Sequence, residues 1–305
     1  MHSQRRTADE PATTPSWRLI GGLCLCLLMG SAQAHSRHDS RLIHPFIVSG
    51  VILNSDNAGR IEAFAKILGE AAGYPLQVRF VDSYDALSTA LRTDPDAIGW
   101  TCSAPFVEDH HRDGQQLVTV PLLRGQPNYY SLVISRMGGA EKSLLDFRGK
   151  VLAYSDRRSN SSYVAPAYAL KQAGFDMQNY FRLLLHAGNH ERSIEAVANG
   201  LADVAAVDEY VWIEYLKRHP DTGRQLHQIE RLGPFPFTPI VAGKAVDRAT
   251  LKRLQQTLGG LAKNPAGKAL LDDLGLDGFV TRDKDFYRPV EDMMRSLGWP
   301  RDGTP

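Results

Sequence analysis

Ser159, Asn160, Ser161 and Ser162 stand in a row just before a helical pattern, and Gly188-Asn189-His190 and Asp208 follow near strand ends. A hydroxyl and amide cluster at a helix start turns free backbone N–H groups and side-chain donors toward one point, which is chemistry for holding a small oxyanion. The same residues also make an ordinary N-cap, with the serines satisfying local backbone groups. His190 adds a ring donor, stronger when protonated, or serves as a surface or capping residue. Asp208 either caps the helix expected from Glu209 to Lys217 or meets a cationic or protonated group of a ligand. Cys102, Ser103 and Phe106 come after a strand-like run, at the end where open α/β sheets bind ligands. The Cys102 thiol has three uses open to it: a small buried hydrophobe, a weak donor lining a cleft, or a soft ligand for a thiophilic species. Asn54 opens a run of four N-cap residue types, Asn54-Ser55-Asp56-Asn57, which either touches the ligand or only caps a helix.

Other chemistry is weaker. Glu108, Asp109, His110, His111 and Asp113 are nearly contiguous and would splay apart on a helix or turn, so a solvated segment is expected there and no metal site. No nucleophile elbow, phosphate-binding loop, His-Glu-x-x-His pair or dinucleotide fingerprint is present. Ser161, His190 and Asp208 would compose a hydrolase triad on paper, but nothing supplies an oxyanion hole apart from the cradle itself. Binding without turnover and without a cofactor is therefore expected.

The elements that position these residues begin after a leader. Arg5, Arg6 and Arg18 precede the apolar residues 19–29, and Ala32-Gln33-Ala34 has the small-x-small pattern of a signal-peptidase site, so residues 1–34 read as a cleaved signal peptide. The apolar run is too short for a stable membrane span. Beyond residue 34 the charges balance at 32 basic against 32 acidic, because the leader removes three of 35 and two of 34. That balance argues against nucleic acid and against an anionic membrane surface. Cys24 and Cys26 leave with the leader, so no disulfide can form within the remainder.

Apolar strand-like runs then alternate with helical patterns, which is α/β architecture. Strands are expected over residues 46–53, 76–81, 97–101, 117–123, 129–135, 150–154 and 203–207, and helices over 84–92, 163–173, 191–199, 251–262, 266–274 and 286–297. Ile61, Phe64, Ala65, Leu68 and Ala71 recur at helical steps between the first two strands. Residues 232–239 are too proline-rich for a central strand and read as a crossover.

Taken in order, Tyr154-Ser155-Asp156, Ser159-Asn160-Ser161-Ser162-Tyr163, Tyr180-Phe181, Gly188-Asn189-His190 and the segment from Val197 to Asp203 resemble the periplasmic phosphate/phosphite/phosphonate-binding proteins of ABC transporters. Tyr130-Ser131 and Leu145-Asp146-Phe147-Arg148-Gly149-Lys150 are similar to that family's central segment. The resemblance implies an α/β, two-lobe type 2 periplasmic-binding-protein fold with the ligand cleft between lobes. The first lobe would span residues 35–135, the second 136–232, and residues 233–305 would return to the first. It implies a monomer that captures a small oxyanion for an ABC permease, or, as the alternative, a sensing protein for an arsenite-type ligand that docks on a sensor kinase's periplasmic domain. Ser159, Asn160 and Ser161 match the family's Ser-Thr-Ser cradle, with an amide in place of one hydroxyl but still able to donate. Phe106 stands where relatives carry a tyrosine. Phe235, Phe237 and Thr238 stand where an acidic residue would read an amine, which weakens an aminophosphonate preference.

Overall fold

A computed structural model of the chain describes residues 42–51 and 58–299. The leader expected over residues 1–34 and Asn54 lie outside the described residues. The first sheet is built from β1 (His44–Ser49), β2 (Leu76–Val81), β3 (Ile98–Trp100), β4 (Gln116–Leu122), β10 (Ile240–Ala242) and β11 (Gly278–Val280), in the order β11-β4-β10-β3-β1-β2. The second contains β5 (Asn128–Arg136), β6 (Val151–Tyr154), β7 (Leu183–His186), β8 (Val204–Asp208) and β9 (Leu226–Pro236), in the order β7-β6-β8-β5-β9. Helices α1 (Ala58–Ala72), α2 (Tyr84–Thr93) and α3 (Ser103–Asp113) connect the strands of the first sheet. Helices α4 (Ala165–Gln172), α5 (Met177–Tyr180), α6 (His190–Ala198), α7 (Glu209–Arg218) and α8 (Pro220–Gly223) connect those of the second. Helices α9 (Arg248–Gly260), α10 (Pro265–Leu274) and α11 (Arg288–Ser296) follow the return to the first sheet.

The periodicities explain these elements. In α1 the buried stripe is Ile61, Phe64, Ala65, Leu68 and Ala72. Ala72, four residues after Leu68, closes the stripe in place of Ala71, which faces solvent. Along β5, Leu132 and Ile134 enter the apolar layer on one face, while Val133 enters the layer on the other. Helices cover both faces, so this strand reads as a continuous apolar run. The proline-rich stretch is not all crossover, since β9 continues through Pro234 to Pro236. It can do so because β9 is an edge strand, bonded only to β5, where missing N–H donors are tolerated.

The chain leaves the first sheet after Leu122, begins the second at Asn128, ends it at Pro236 and re-enters the first at Ile240, where β10 slots antiparallel between β3 and β4. Two passages thus join the halves. The halves touch just past the ends of β1 and β3, where the His190 N–H donates to the Val51 carbonyl at 3.2 Å and the Asn160 N–H to Cys102 Sγ at 3.4 Å.

Candidate functional site

After β6 the chain runs through Ser155 to Ser159 and enters a π-helical turn at Asn160–Val164 that continues into α4. Ser159 is the N-cap, its Oγ accepting from the Ser162 N–H at 3.1 Å. The Ser162 hydroxyl pairs with Ser155 Oγ at 2.7 Å and accepts from the Ser155 N–H at 3.2 Å, which ties the turn to the strand exit. Both hydroxyls are therefore spent inside the protein. Ser161 is different: its carbonyl accepts from Ser131 Oγ at 2.6 Å, while its own Oγ is buried without a partner. Asn160 donates from Nδ2 to Tyr129 Oη at 3.1 Å, leaving Oδ1 buried and unpartnered. The amide expected to replace a hydroxyl donor thus offers an unpartnered acceptor instead.

Gly188 has φ of 87°, a left-handed turn that suits glycine, and it delivers Asn189 as the cap of α6 with His190 in its first turn. His190 Nδ1 accepts from the Asp208 N–H at 3.2 Å, so the neutral ring carries its proton on Nε2, which lies 3.4 Å from Ser155 Oγ. Burial depresses its pKa to about 3. His190 is thus a neutral donor, without the added strength that protonation would give. Asp208 ends β8 and caps α7, its Oδ1 accepting from the N–H groups of Tyr210 at 2.8 Å and Val211 at 3.3 Å. Its Oδ2 is buried with no partner, and burial lifts its pKa to about 7 despite those two bonds. The triad geometry is not formed: His190 Nε2 approaches Ser155 Oγ, and Nδ1 meets the Asp208 backbone, not its carboxylate.

Across from the cradle, Cys102 stands at the N-cap of α3. Its buried Sγ accepts from the Asn160 N–H at 3.4 Å and lies 4.0 Å from the Oγ of the buried Ser103. Burial pushes the thiol pKa up, which the Asn160 N–H partly offsets. Phe106, the residue in the tyrosine's place, is buried with its ring edge-on to Tyr287, at 4.8 Å between centroids. An aromatic hydroxyl is present nonetheless. Tyr84, in the first turn of α2, has a buried Oη that faces the Cys102 thiol but makes no hydrogen bond of good geometry, and burial followed by the fields of Cys102, Asp156 and Asp208 drives its pKa well above the usual value. Tyr84 and Tyr129 escape sequence reading because nothing local separates them from core aromatics.

Residues 53–287 match the family described as ABC transporter, phosphonate, periplasmic substrate-binding protein. The chain belongs to that family. It is 24% identical over 217 residues to the phosphonates-binding periplasmic protein of Escherichia coli K12, covering 70% of this chain and 64% of that protein. It is 24% identical over 168 residues to the probable ABC transporter phosphite binding protein PhnD1 of Prochlorococcus marinus MIT 9301, covering 51% of this chain and 54% of that one. The match thus spans less than two thirds of either curated relative. The structure of PhnD1 in complex with methylphosphonate superposes with a TM-score of 0.76 at 18% identity, over 84% of this chain and 98% of that one. A binding protein component of an ABC phosphonate transporter from Pseudomonas aeruginosa gives 0.75 at 22% identity, over 82% and 85%. These likenesses establish the type 2 periplasmic-binding-protein fold. The family is one of substrate-binding proteins, not of enzymes.

In this family member the two halves are also clasped by charge. Arg158, in the loop before the cradle, donates to Asp109 Oδ1 at 2.6 Å, Glu108 Oε2 at 3.1 Å, Asp85 Oδ1 at 3.2 Å and Ser88 Oγ at 2.6 Å. Asp156 completes the clasp, accepting from the Tyr84 N–H at 3.2 Å. Asp109 is fully buried, which corrects the reading of residues 108–113 as simply solvated: α3 turns this one carboxylate inward, where Arg158, Arg112, Ser88 and Gln115 satisfy it. Among the described residues, no His, Cys, Asp or Glu cluster is arranged to hold a metal ion.

Proposed function

We propose that this protein is exported through its leader and, as a monomer, captures a small phosphonate-type oxyanion between its two halves for delivery to an ABC permease. One observation carries the reading. Ser161 Oγ, Asn160 Oδ1, Tyr84 Oη and Asp208 Oδ2 are all buried and unpartnered where the halves meet, beside the His190 ring. A protein interior leaves such atoms orphaned at a cost of about 1–3 kcal/mol each, so several at one junction mark a place where a polar guest belongs. Ser161 Oγ, Tyr84 Oη and His190 Nε2–H are donors suited to phosphoryl oxygens. Among the described residues no helix is long and apolar enough to cross a membrane.

Calorimetry of residues 35–305 with phosphate, phosphite, methylphosphonate and arsenite tests the proposal. Micromolar or tighter binding of a phosphorus oxyanion, weakened about tenfold or more in Ser161→Ala, supports it. No binding of any of these anions, or unchanged binding in Ser161→Ala, refutes it. Arsenite binding lost in Cys102→Ser alone would move the protein to the sensing class. The buried, protonated thiol, already engaged by Asn160, argues against that outcome.

A further inference from the structure

The orphaned atoms are not all donors. Asn160 Oδ1 can only accept, and ionised Asp208 Oδ2 can only accept, so a guest with nothing but acceptor oxygens would leave both unsatisfied. The charge balance sharpens the point. Arg158, the guanidinium beside the cradle, is committed to Asp109, Glu108 and Asp85. His190 is neutral. The groups that face Asp208 are His190 from α6, Glu209 and Tyr210 from α7, Tyr129 from β5, and Tyr84 and Cys102 across the cleft. None of these is a cation. Glu209 has the same sign as Asp208, and it is itself paired with Arg231 and Arg124.

We infer that Asp208 is a specificity determinant that admits the oxyanion only together with one proton, held between its Oδ2 and a ligand oxygen. The ligand class is then a protonatable small oxyanion, bound with one negative charge fewer than the site and the dianion would carry together. A dianion against an ionised, buried carboxylate would place like charges in a low dielectric, whereas one shared proton turns the pair into a charge-assisted hydrogen bond. The unpartnered oxygen and the absence of a counter-cation among the described residues carry this geometrically, and the pKa of Asp208 near 7 agrees with it. The inference rests on the oxyanion-binding reading above.

The test is calorimetry of the mature protein with phosphite and with methylphosphonate at pH 6, 8 and 9. Each titration is run in two buffers of different ionisation enthalpy, so that protons taken up per ligand are counted directly. At pH 9, where both partners are ionised when free, the wild type should take up one proton and lose about tenfold in affinity relative to pH 8. Asp208→Asn keeps a competent N-cap and can donate from its amide, so it should bind the dianion with no proton uptake and with little change between those pH values. Zero uptake by the wild type overturns the inference even if the variant fails to fold. One proton still taken up by Asp208→Asn also overturns it, because the proton would then reside elsewhere. If neither probe binds the wild type even at pH 6, the oxyanion reading itself falls. Binding without proton linkage removes the Asp208 inference alone.

Discussion

Replacing Arg158 with alanine should loosen the clamp without touching the cradle. The Arg158 side chain is 12% exposed and Asp109 is fully buried, so their pairing is screened little in the closed form. In an opened clamp both groups are hydrated and their interaction is worth close to nothing. Removing the sole partner of a buried charge costs about 3–5 kcal/mol. Asp109, however, keeps Arg112 at 2.6 Å, the Ser88 hydroxyl and Gln115 at 3.2 Å. The loss should therefore resemble that of one charge-assisted hydrogen bond set, about 2 kcal/mol. That corresponds to roughly a 30-fold fall in the ratio of closed to open protein. Apparent affinity scales with the closed fraction, so the Kd should rise by as much as roughly 30-fold where the free protein is mostly open, and by less where it is mostly closed.

Calorimetry gives the Kd, and small-angle scattering without ligand gives the degree of opening. An Arg158→Ala, Asp109→Asn double-mutant cycle separates the clasp from general damage, because partners in one network should show coupled losses. A Kd within about twofold of wild type, or losses that simply add in the double variant, would refute the clasp.

The orphaned Tyr84 hydroxyl supports a prediction with opposite signs: Tyr84→Phe should leave the unliganded protein as stable or slightly more so, yet weaken ligand binding, as thermal melts with and without ligand would show. A fall in unliganded stability of more than about 1 kcal/mol would mean that the hydroxyl serves the fold. Cys102 should react slowly with a disulfide reagent in the ligand-saturated protein, since burial raises its pKa and Asn160 covers the sulfur. Rapid labelling under saturation would show that the thiol is open to solvent.

Acid dependence should be masked in the wild type and exposed by single variants. His190, lowered from 6.5 to about 3, contributes stability present above pH 6.5 and lost as pH falls toward 3. Asp208, raised from 3.8 to about 7, contributes stability present below pH 3.8 and lost as pH rises through 7. The two slopes oppose one another between these limits. Urea unfolding at pH 4.5, 5.5 and 6.5 should therefore show stability falling with pH in His190→Asn and rising in Asp208→Asn, each by up to about 1.4 kcal/mol per pH unit. Parallel curves for the two variants would contradict both assignments.

Long periodic elements and the short apolar strands β3, β6 and β8 were legible from sequence, whereas the strands after residue 225 were not. The strand over residues 76–81 and the stripe from Ile61 to Leu68 follow directly from spacing. β10 and β11 have three residues each, too few to establish any period, and both are placed by neighbours more than a hundred residues away. α3 is ambiguous between helix and turn in the sequence because Pro105 and the charged run after it show no apolar period, though proline is tolerated in a first helical turn. The chemistry of the cradle was legible in its residue types. Which of its hydroxyls remain free was not, because Ser159 and Ser162 are spent on partners fixed by the fold of the strand exit. Arg158 could not be recognised for the same reason: Asp109 lies 49 residues upstream, and only closure of the two halves joins them.

What distinguishes a binding site here is the account of donors and acceptors, more than the presence of polar residues. Asn160 shows this within one side chain. Its backbone N–H goes to Cys102 and its Nδ2 to Tyr129, so the residue bonds across the cleft and to β5 while presenting the guest with an acceptor alone. A serine or threonine at that position could rotate its hydroxyl to donate to an oxyanion, but the amide oxygen cannot. Placed beside Asp208 Oδ2, it makes a fully deprotonated guest doubly mismatched, through two acceptors with no proton to meet them. The residue that departs from the family's hydroxyl pattern and the carboxylate without a counter-cation therefore impose the same demand, that the ligand arrive with a proton.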